Sequence, residues 1–490
     1  MDYDAAALQK FSDSLAGNPP AQLDAATLQT LIECLRAENI KNFGAMESAH
    51  LFLVRTLSSL PDLGFATLEG REPPVRELLL TYLSFNMEMD EALEYQLTRM
   101  RKTLLSDVLA GNDAGEFGVD LLSSLAIFAF GKEFVLSETP EETQALQKIS
   151  IYNGAAHVAM IACYRALHRL HQPSWLLDTE QTTARFARML TIQLAEPLEE
   201  LRLRTEIRSL SPITEATSVN VRQMYEENPY PRWTKRPVRR AVPQGKDVNI
   251  LVAGCGSGQH PIGLALSQPG CRIVGLDLSL ASLAYALRKS REYGVTNLEL
   301  VQGDILALES SGLRFDFISC VGVLHHMAEP VKGLRALKAV LADNGRIDLG
   351  LYTESGRQAV VHAIAVRKQL GVPATADGIR TLRRYILGLP ANAPARNVTR
   401  FADFYTMSGC RDLIFHVQEH RYELPSIDKL LKDAGMALKR FQVPSTLAAR
   451  FRAEVPDGDE SNLLDWAKFE AANPAAFGSM YNLSVIKPAA

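Results

Sequence analysis

The sequence predicts an α/β protein with a doubly wound sheet in its C-terminal half, an all-α domain ahead of the sheet and a helical insertion within it. Three observations carry this. Up to about residue 213 the apolar residues recur only at helical spacing. From residue 248 short aliphatic strands alternate with helical stretches. The first of those strands runs into three closely spaced glycines. The chain has 490 residues, more than one ordinary domain holds, so two or three are expected.

In the first region Phe43, Met46, His50, Leu53, Val54, Leu57 and Leu60 recur at the three-and-four spacing of one buried helix face. The stretches 75–85, 91–109, 119–130 and 155–170 follow the same rule, and no fixed repeat period emerges. These residues, 1–213, are read as an all-α domain. His50 and His157 sit among apolar helical neighbours and read as core or boundary residues.

Residues 214–245 are read as a lid or linker. They contain Tyr225-Glu226-Glu227-Asn228-Pro229-Tyr230-Pro231-Arg232-Trp233, whose two prolines end a helix and force an extended path. Tyr225, Tyr230 and Trp233 are lid candidates, because a plain linker has little use for so many aromatics. The plain linker, made basic by Lys235, Arg236, Arg239 and Arg240, is the alternative. Those basic residues form a short run with no aromatic platform beside it, so no nucleic-acid partner is expected.

Residues 246–490 are read as the α/β domain. Segments 248–253, 272–277, 298–302, 315–321 and 346–352 are short and aliphatic, and helical spacing lies between them. Such alternation gives a parallel sheet covered on both faces. Two later strands are expected at 436–441 and 481–486. The residues between are too many for a crossover and read as a helical cap at about 353–430.

The chemistry concentrates in Ile250-Leu251-Val252-Ala253-Gly254-Cys255-Gly256-Ser257-Gly258. Glycines let the chain turn sharply and let a ligand lie against bare backbone. The N-terminus of the helix beyond them offers free N–H groups. Nicotinamide and flavin sites share this plan but place a third glycine where Gln259 stands. The second strand ends in Asp277, 277 − 254 = 23 residues after the first glycine, where a carboxylate can accept the hydroxyls of an adenosine ribose. The third ends in Gly303-Asp304, and the fourth is entered through Phe315-Asp316.

On these motifs, with Leu341 and Gly345 before the fifth strand, residues 248–352 resemble the catalytic core of the class I S-adenosylmethionine-dependent methyltransferases. The resemblance implies a Rossmann-like sheet of seven strands with the last antiparallel, and S-adenosyl-L-methionine as the cofactor. It places the donor's methionine moiety on Ala253, Gly254, Cys255, Gly256 and Gly258, its ribose on Asp277 beside Leu278, and its adenine on Asp304 and Ile305. Val321 and Gly322 would approach the sulfonium. The helical region more loosely resembles the extension, sometimes tetratricopeptide-like, of some bacterial methyltransferases.

Candidates for proton chemistry follow the fourth strand at His325 and His326, with packing or hydrogen bonding to the loop as the alternative role. On an extended backbone these would point opposite ways, so at most one would face substrate. His416, Glu419 and His420 spell His-x-x-Glu-His, which on a helix would share one face. That face is read as pocket lining, with His416 a catalytic candidate. A structural face and a zinc site are the alternatives, and no metal is expected because no third ligand is evident. The expected partner is a small-molecule acceptor. A protein substrate docked on the helical domain and a non-catalytic scaffold are the other readings, with a homodimer left open. The net charge of −4 argues against capture of nucleic acid or anionic lipid. Six cysteines without a C-x-x-C pair, an acidic N-terminus and an apolar stretch at 121–130 too short to span a bilayer predict a soluble, cytoplasmic protein with no membrane partner.

Overall fold

The computed structural model describes residues 4–17, 19–20, 23–38, 40–85, 88–179, 182–227, 229–237 and 247–488. Asn228, Arg239, Arg240 and the remainder of the expected linker up to residue 245 lie outside the described residues. The chain forms two compact units. One comprises Met1–Glu199, Thr234–Arg236 and Gly371–Arg411; the other comprises Glu200–Trp233, Pro237–Leu370 and Asp412–Ala490. Residues 371–411, which the sequence assigns to the cap, pack into the first unit, and residues 200–213 pack into the second.

The first unit is helical among its described residues. Its centre is the helix Gly115–Gly131, which contains the most apolar stretch of the chain and buries Leu121, Leu122, Leu125, Ala126 and Phe128 completely. Asp24, Asp90 and Thr139 cap the N-termini of three other helices through their side-chain oxygens. His50 is satisfied, with Nδ1 3.0 Å from the Tyr82 hydroxyl and Nε2 3.1 Å from Asp90. The 371–411 segment is fastened by charge. The buried Arg383 guanidinium bonds both oxygens of Glu94, at 3.0 and 2.5 Å, and removing one partner from such a pair costs about 3–5 kcal/mol. Arg380 donates to the carbonyl of Phe134, within a turn where Glu133 and Phe134 both have φ of +57°. No described helix is long and apolar enough to cross a membrane.

The second unit is built on a sheet of eight strands: β1 (Arg208–Ser209), β2 (Asn249–Ala253), β3 (Arg272–Asp277), β4 (Leu298–Gln302), β5 (Phe315–Val321), β6 (Leu341–Tyr352), β7 (Ala437–Phe441) and β8 (Met480–Ile486). Their order is β1-β4-β3-β2-β5-β6-β8-β7, and β8 alone runs antiparallel to its neighbours. The first five sequence-predicted strands are β2 to β6, and the two late candidates are β7 and β8. Seven strands were expected, and β1 is the correction. Arg208 and Ser209 pair parallel to Val301 and Gln302 at the edge, aided by Arg208–Glu299 at 2.9 Å. Two residues are too few to leave an alternation signature. Both faces of the sheet are buried: Leu251, Ala253, Val274 and Leu276 join one core, and Ile250, Val252 and Ile273 another. The strands are aliphatic throughout for that reason.

A second correction concerns His416 to His420. The helix Met407–Phe415 ends before them, and 416–421 carry no helix. Their backbone is used elsewhere. His420 N donates to His325 O at 2.7 Å, Tyr422 N donates to Tyr352 O at 2.9 Å, and Thr353 and Tyr422 form a parallel bridge. Locally, the Gln418 N–H donates to Nδ1 of His416 at 3.2 Å. Tertiary pairing beyond the end of β6 and a side chain competing for a backbone donor together outweigh helix formation.

Candidate active site at the carboxyl ends of the strands

At the end of β2 the chain turns through Gly254, Gly256 and Gly258, with φ of +71°, +52° and +84°. Glycine is required at 256 on a second ground. A Cβ there would lie 2.7 Å from the carbonyl oxygen of Tyr230. The turn is held from below by Asp277, the last residue of β3, whose carboxylate accepts the N–H groups of Gly256 at 2.7 Å and Ser279 at 2.9 Å. Burial raises the Asp277 pKa, and Glu226 adds to the rise, while these backbone donors oppose it. Asp304, buried at the end of β4, accepts the Leu306 N–H at 2.9 Å.

These residues surround a cavity of about 430 Å³, a size suited to a small ligand. Ala253, Gly254, Cys255 and Gly256 line it, with Asp277 and Leu278 from the end of β3 and Asp304 and Ile305 from the end of β4. Val321 and Gly322 line it at the end of β5, where Val321 is 41% exposed because the cavity opens over it. Gly258 is not in the wall. It begins the helix Gln259–Ser267 and packs against Ala286.

The segment before β2 lies on the glycine turn. After the helix Ala216–Glu227, Tyr230 O accepts the Ser257 N–H at 3.2 Å, Pro231 O accepts the Ser257 hydroxyl, and Trp233 Nε1 donates to Ser257 O at 3.0 Å. Tyr225 and Tyr230 stack, with centroids 6.1 Å apart, and both line the cavity; Trp233 is buried behind the turn against Tyr285. Glu226 accepts the N–H groups of Leu280 (2.6 Å) and Ala281 (3.4 Å), putting an acid at the N-terminus of the helix Leu280–Glu292.

Beyond β5 the histidines do not lie on extended chain. Leu324–His326 is a short 3-10 turn, so the His325 and His326 rings come within 4.4 Å instead of diverging. His325 is fully buried outside the cavity wall. It stacks on Tyr352 at 3.8 Å, and its pKa is lowered well below the usual histidine value, chiefly by burial. His326 lines the cavity. Its Nδ1 donates to the Gln418 carbonyl at 2.8 Å, which leaves the Nε2 lone pair unused. His416 is outside the wall, stacked face to face on His326 at 3.6 Å, and burial lowers its pKa to about 3.

The His-x-x-Glu-His string is therefore dispersed. Glu419 is buried against the Arg357 guanidinium, and His420 Nε2 bonds Met327 O at 3.0 Å. A different trio gathers instead: His326, Asp412 and His416 offer side-chain atoms within 4.8 Å of one another. The hydrogen bonds argue against a metal there. Because His416 Nδ1 accepts the Gln418 N–H, the neutral ring carries its proton on Nε2. The two rings are inclined by only 22°, so their in-plane nitrogens do not converge. Asp412 and Tyr352, both in the cavity wall, were not singled out from sequence.

Residues 244–361 match the family model described as "Methyltransferase domain". An uncharacterized protein of Synechococcus sp. is 31% identical over 209 residues, covering 41% of this chain and 50% of that protein. The ubiquinone biosynthesis O-methyltransferase of Colwellia psychrerythraea is 26% identical over 127 residues, covering 26% and 50%. Among solved structures, PKMT2 from Rickettsia typhi in complex with AdoHcy is 15% identical with a TM-score of 0.39, covering 56% of this chain and 53% of that one. The chain spans about half the length of the curated relatives it matches. A doubly wound sheet with its glycine turn and strand-end acids defines a Rossmann-like methyltransferase domain. Residues 244–361 form such a methyltransferase domain, with a helical region ahead of it.

Proposed function

We propose that the protein transfers the methyl group of S-adenosyl-L-methionine to a small organic acceptor. The observation that carries this is the sharing of one cavity by the glycine turn, Asp277, Asp304 and His326. The residues fit such a donor. The turn offers bare backbone. Each Asp277 oxygen already accepts one N–H and keeps a second lone pair for a ribose hydroxyl. Asp304 and Ile305 form the wall for the base. When bound, the donor supplies a methyl already activated on a sulfonium, so the chain contributes chiefly orientation and proton handling.

His326 is the base for a nucleophile that carries a proton, since its Nδ1–H is fixed by the Gln418 carbonyl and its Nε2 is left to accept. The segment from Tyr225 to Trp233, resting on Ser257, is the lid that keeps water from the reacting centre.

Calorimetry with S-adenosylhomocysteine tests the donor site. Asp277→Ala should weaken binding at least about tenfold, the loss expected for one charge-assisted bond, and Gly256→Val should weaken it too while lowering the melting temperature, since its Cβ meets Tyr230 O. Unchanged affinity in both variants overturns the assignment. Labelled donor offered to metabolite and protein extracts tests the acceptor. Label on protein, or on nothing, overturns the small-molecule reading.

A further inference from the structure

The wall of the cavity contains Asp277, Asp304 and Asp412, and among the described residues it contains no lysine or arginine. Asp277 and Asp304 are engaged with backbone donors at the ends of β3 and β4. Asp412 differs. It is 5% exposed, its carboxylate accepts the hydroxyl of Tyr225, and among the described residues it pairs with no lysine or arginine. A buried carboxylate on a cavity wall without a cation of its own is costly unless a cation enters the cavity. Beside it stand Tyr225 and Tyr230, stacked at an inclination of 19° and both in the same wall. Tyrosine faces attract an ammonium group through the ring quadrupole. His326 completes the arrangement within 4.8 Å of Asp412, on the β5 side and two strands away from the ribose acid on β3.

We propose that the acceptor is a protonated primary or secondary amine, held by Asp412 and the tyrosines and deprotonated by His326. This rests on the proposed methyl transfer and names its substrate class. The ammonium N–H proton passes to His326 Nε2. The nitrogen lone pair so freed forms the N–CH3 bond as the S–CH3 bond breaks. The sulfur keeps that bond's electrons and becomes the neutral thioether of S-adenosylhomocysteine, while the positive charge passes to the methylated nitrogen. His326 then releases its proton to solvent. Acceptors carrying carboxylate or phosphate near the reacting atom are excluded, since they would meet three acids and no base cation. A metal is a poorer occupant, because neither His416 nitrogen has a free lone pair: Nδ1 accepts the Gln418 N–H and Nε2 carries the proton.

The test compares benzylamine, a cation at pH 7, with its neutral isostere benzyl alcohol, each titrated into the full-length protein saturated with S-adenosylhomocysteine. The amine should bind at least about tenfold more tightly. Asp412→Asn should abolish that preference and Asp412→Glu should restore part of it, with S-adenosylhomocysteine affinity unchanged in both. Equal binding of the two probes by the wild-type protein, or binding of neither, overturns the proposal whether or not the variants fold. So does a parallel loss of S-adenosylhomocysteine affinity in Asp412→Asn, which would give the acid to the donor's ammonium group. Near-stoichiometric metal in the purified protein, lost in Asp412→Asn, overturns it in favour of a cation site. Failure of the wild-type protein to bind S-adenosylhomocysteine at all refutes the methyl-transfer reading itself, a result separate from the loss of amine preference.

Discussion

The two ends of the cavity are made in opposite ways. The proposed donor end comes from consecutive strand tips: Gly254 to Gly256 after β2, Asp277 at the end of β3, and Asp304 after β4. Each residue is fixed by its own strand and by bonds to neighbouring backbone. The proposed acceptor end draws Tyr225, His326, Tyr352 and Asp412 from four separate segments, and the backbone of a single residue organises it. Gln418 gives its N–H to His416 and takes the N–H of His326, setting opposite tautomers in two stacked rings. The donor end depends on local geometry that any sequence keeping the motif will reproduce. The acceptor end depends on long-range placement, so substrate choice can change there while the donor site stays as it is.

That contrast is broken most severely at His326. His326→Gln should lower the rate of methyl transfer to the acceptor found by labelled screening by about a hundredfold or more, the usual contribution of a positioned base. Affinity for S-adenosylhomocysteine should stay within about twofold, since the change lies at the acceptor end. A rate that survives the substitution removes the base. A parallel loss of donor affinity means the two ends are not separable.

A milder test falls on the segment joining the two ends. Trp233 donates to Ser257 O and is buried, and Tyr230 and Pro231 accept from Ser257, so the proposed lid is tied to the glycine turn at its backbone. Binding of S-adenosylhomocysteine should slow amide exchange at Ser257 and across residues 229–233. Trp233→Ala should remove most of that added protection. Identical exchange with and without ligand makes the segment a linker, and the lid falls.

The same contrast governs what the sequence reveals. Glycines and strand-end acids mark the proposed donor end because ligand chemistry and backbone geometry both constrain short contiguous stretches. Asp412 and Tyr352 carry no such mark, since their meaning depends on which residues meet them in space. The His-x-x-Glu-His string misleads for the complementary reason. Its spacing suits a helix, yet pairing with Tyr352 and His325 draws the backbone out, and Arg357 neutralises Glu419. β1 escapes notice because two residues have no period. Glu226 was visible as an acid, but only the fold shows it at the N-terminus of the helix Leu280–Glu292.

The smallest expected effect concerns His416, which sits behind His326 rather than in the wall. Its pKa in the folded protein is lowered to about 3, chiefly by burial and secondarily by His326. An unfolded histidine titrates near 6.5. The folded state therefore binds this proton less readily than the unfolded chain. Stability is unaffected above about pH 6.5 and is lost as pH falls from there toward 3. At pH 5 the loss from this one group amounts to about 2 kcal/mol, and buried His325, shifted in the same direction, adds to it. His416→Phe keeps an aromatic face against His326 but cannot take a proton. The gap in melting temperature between pH 7 and pH 5 should therefore narrow in the variant without closing, because His325 remains. Turnover at pH 7 should fall as well, since the Gln418 N–H loses its acceptor and the carbonyl that orients His326 is less firmly held, while S-adenosylhomocysteine affinity stays intact. A variant whose acid sensitivity matches the parent's would place the His416 ring in contact with water, and the stacked, neutral pair behind the cavity would have to be abandoned.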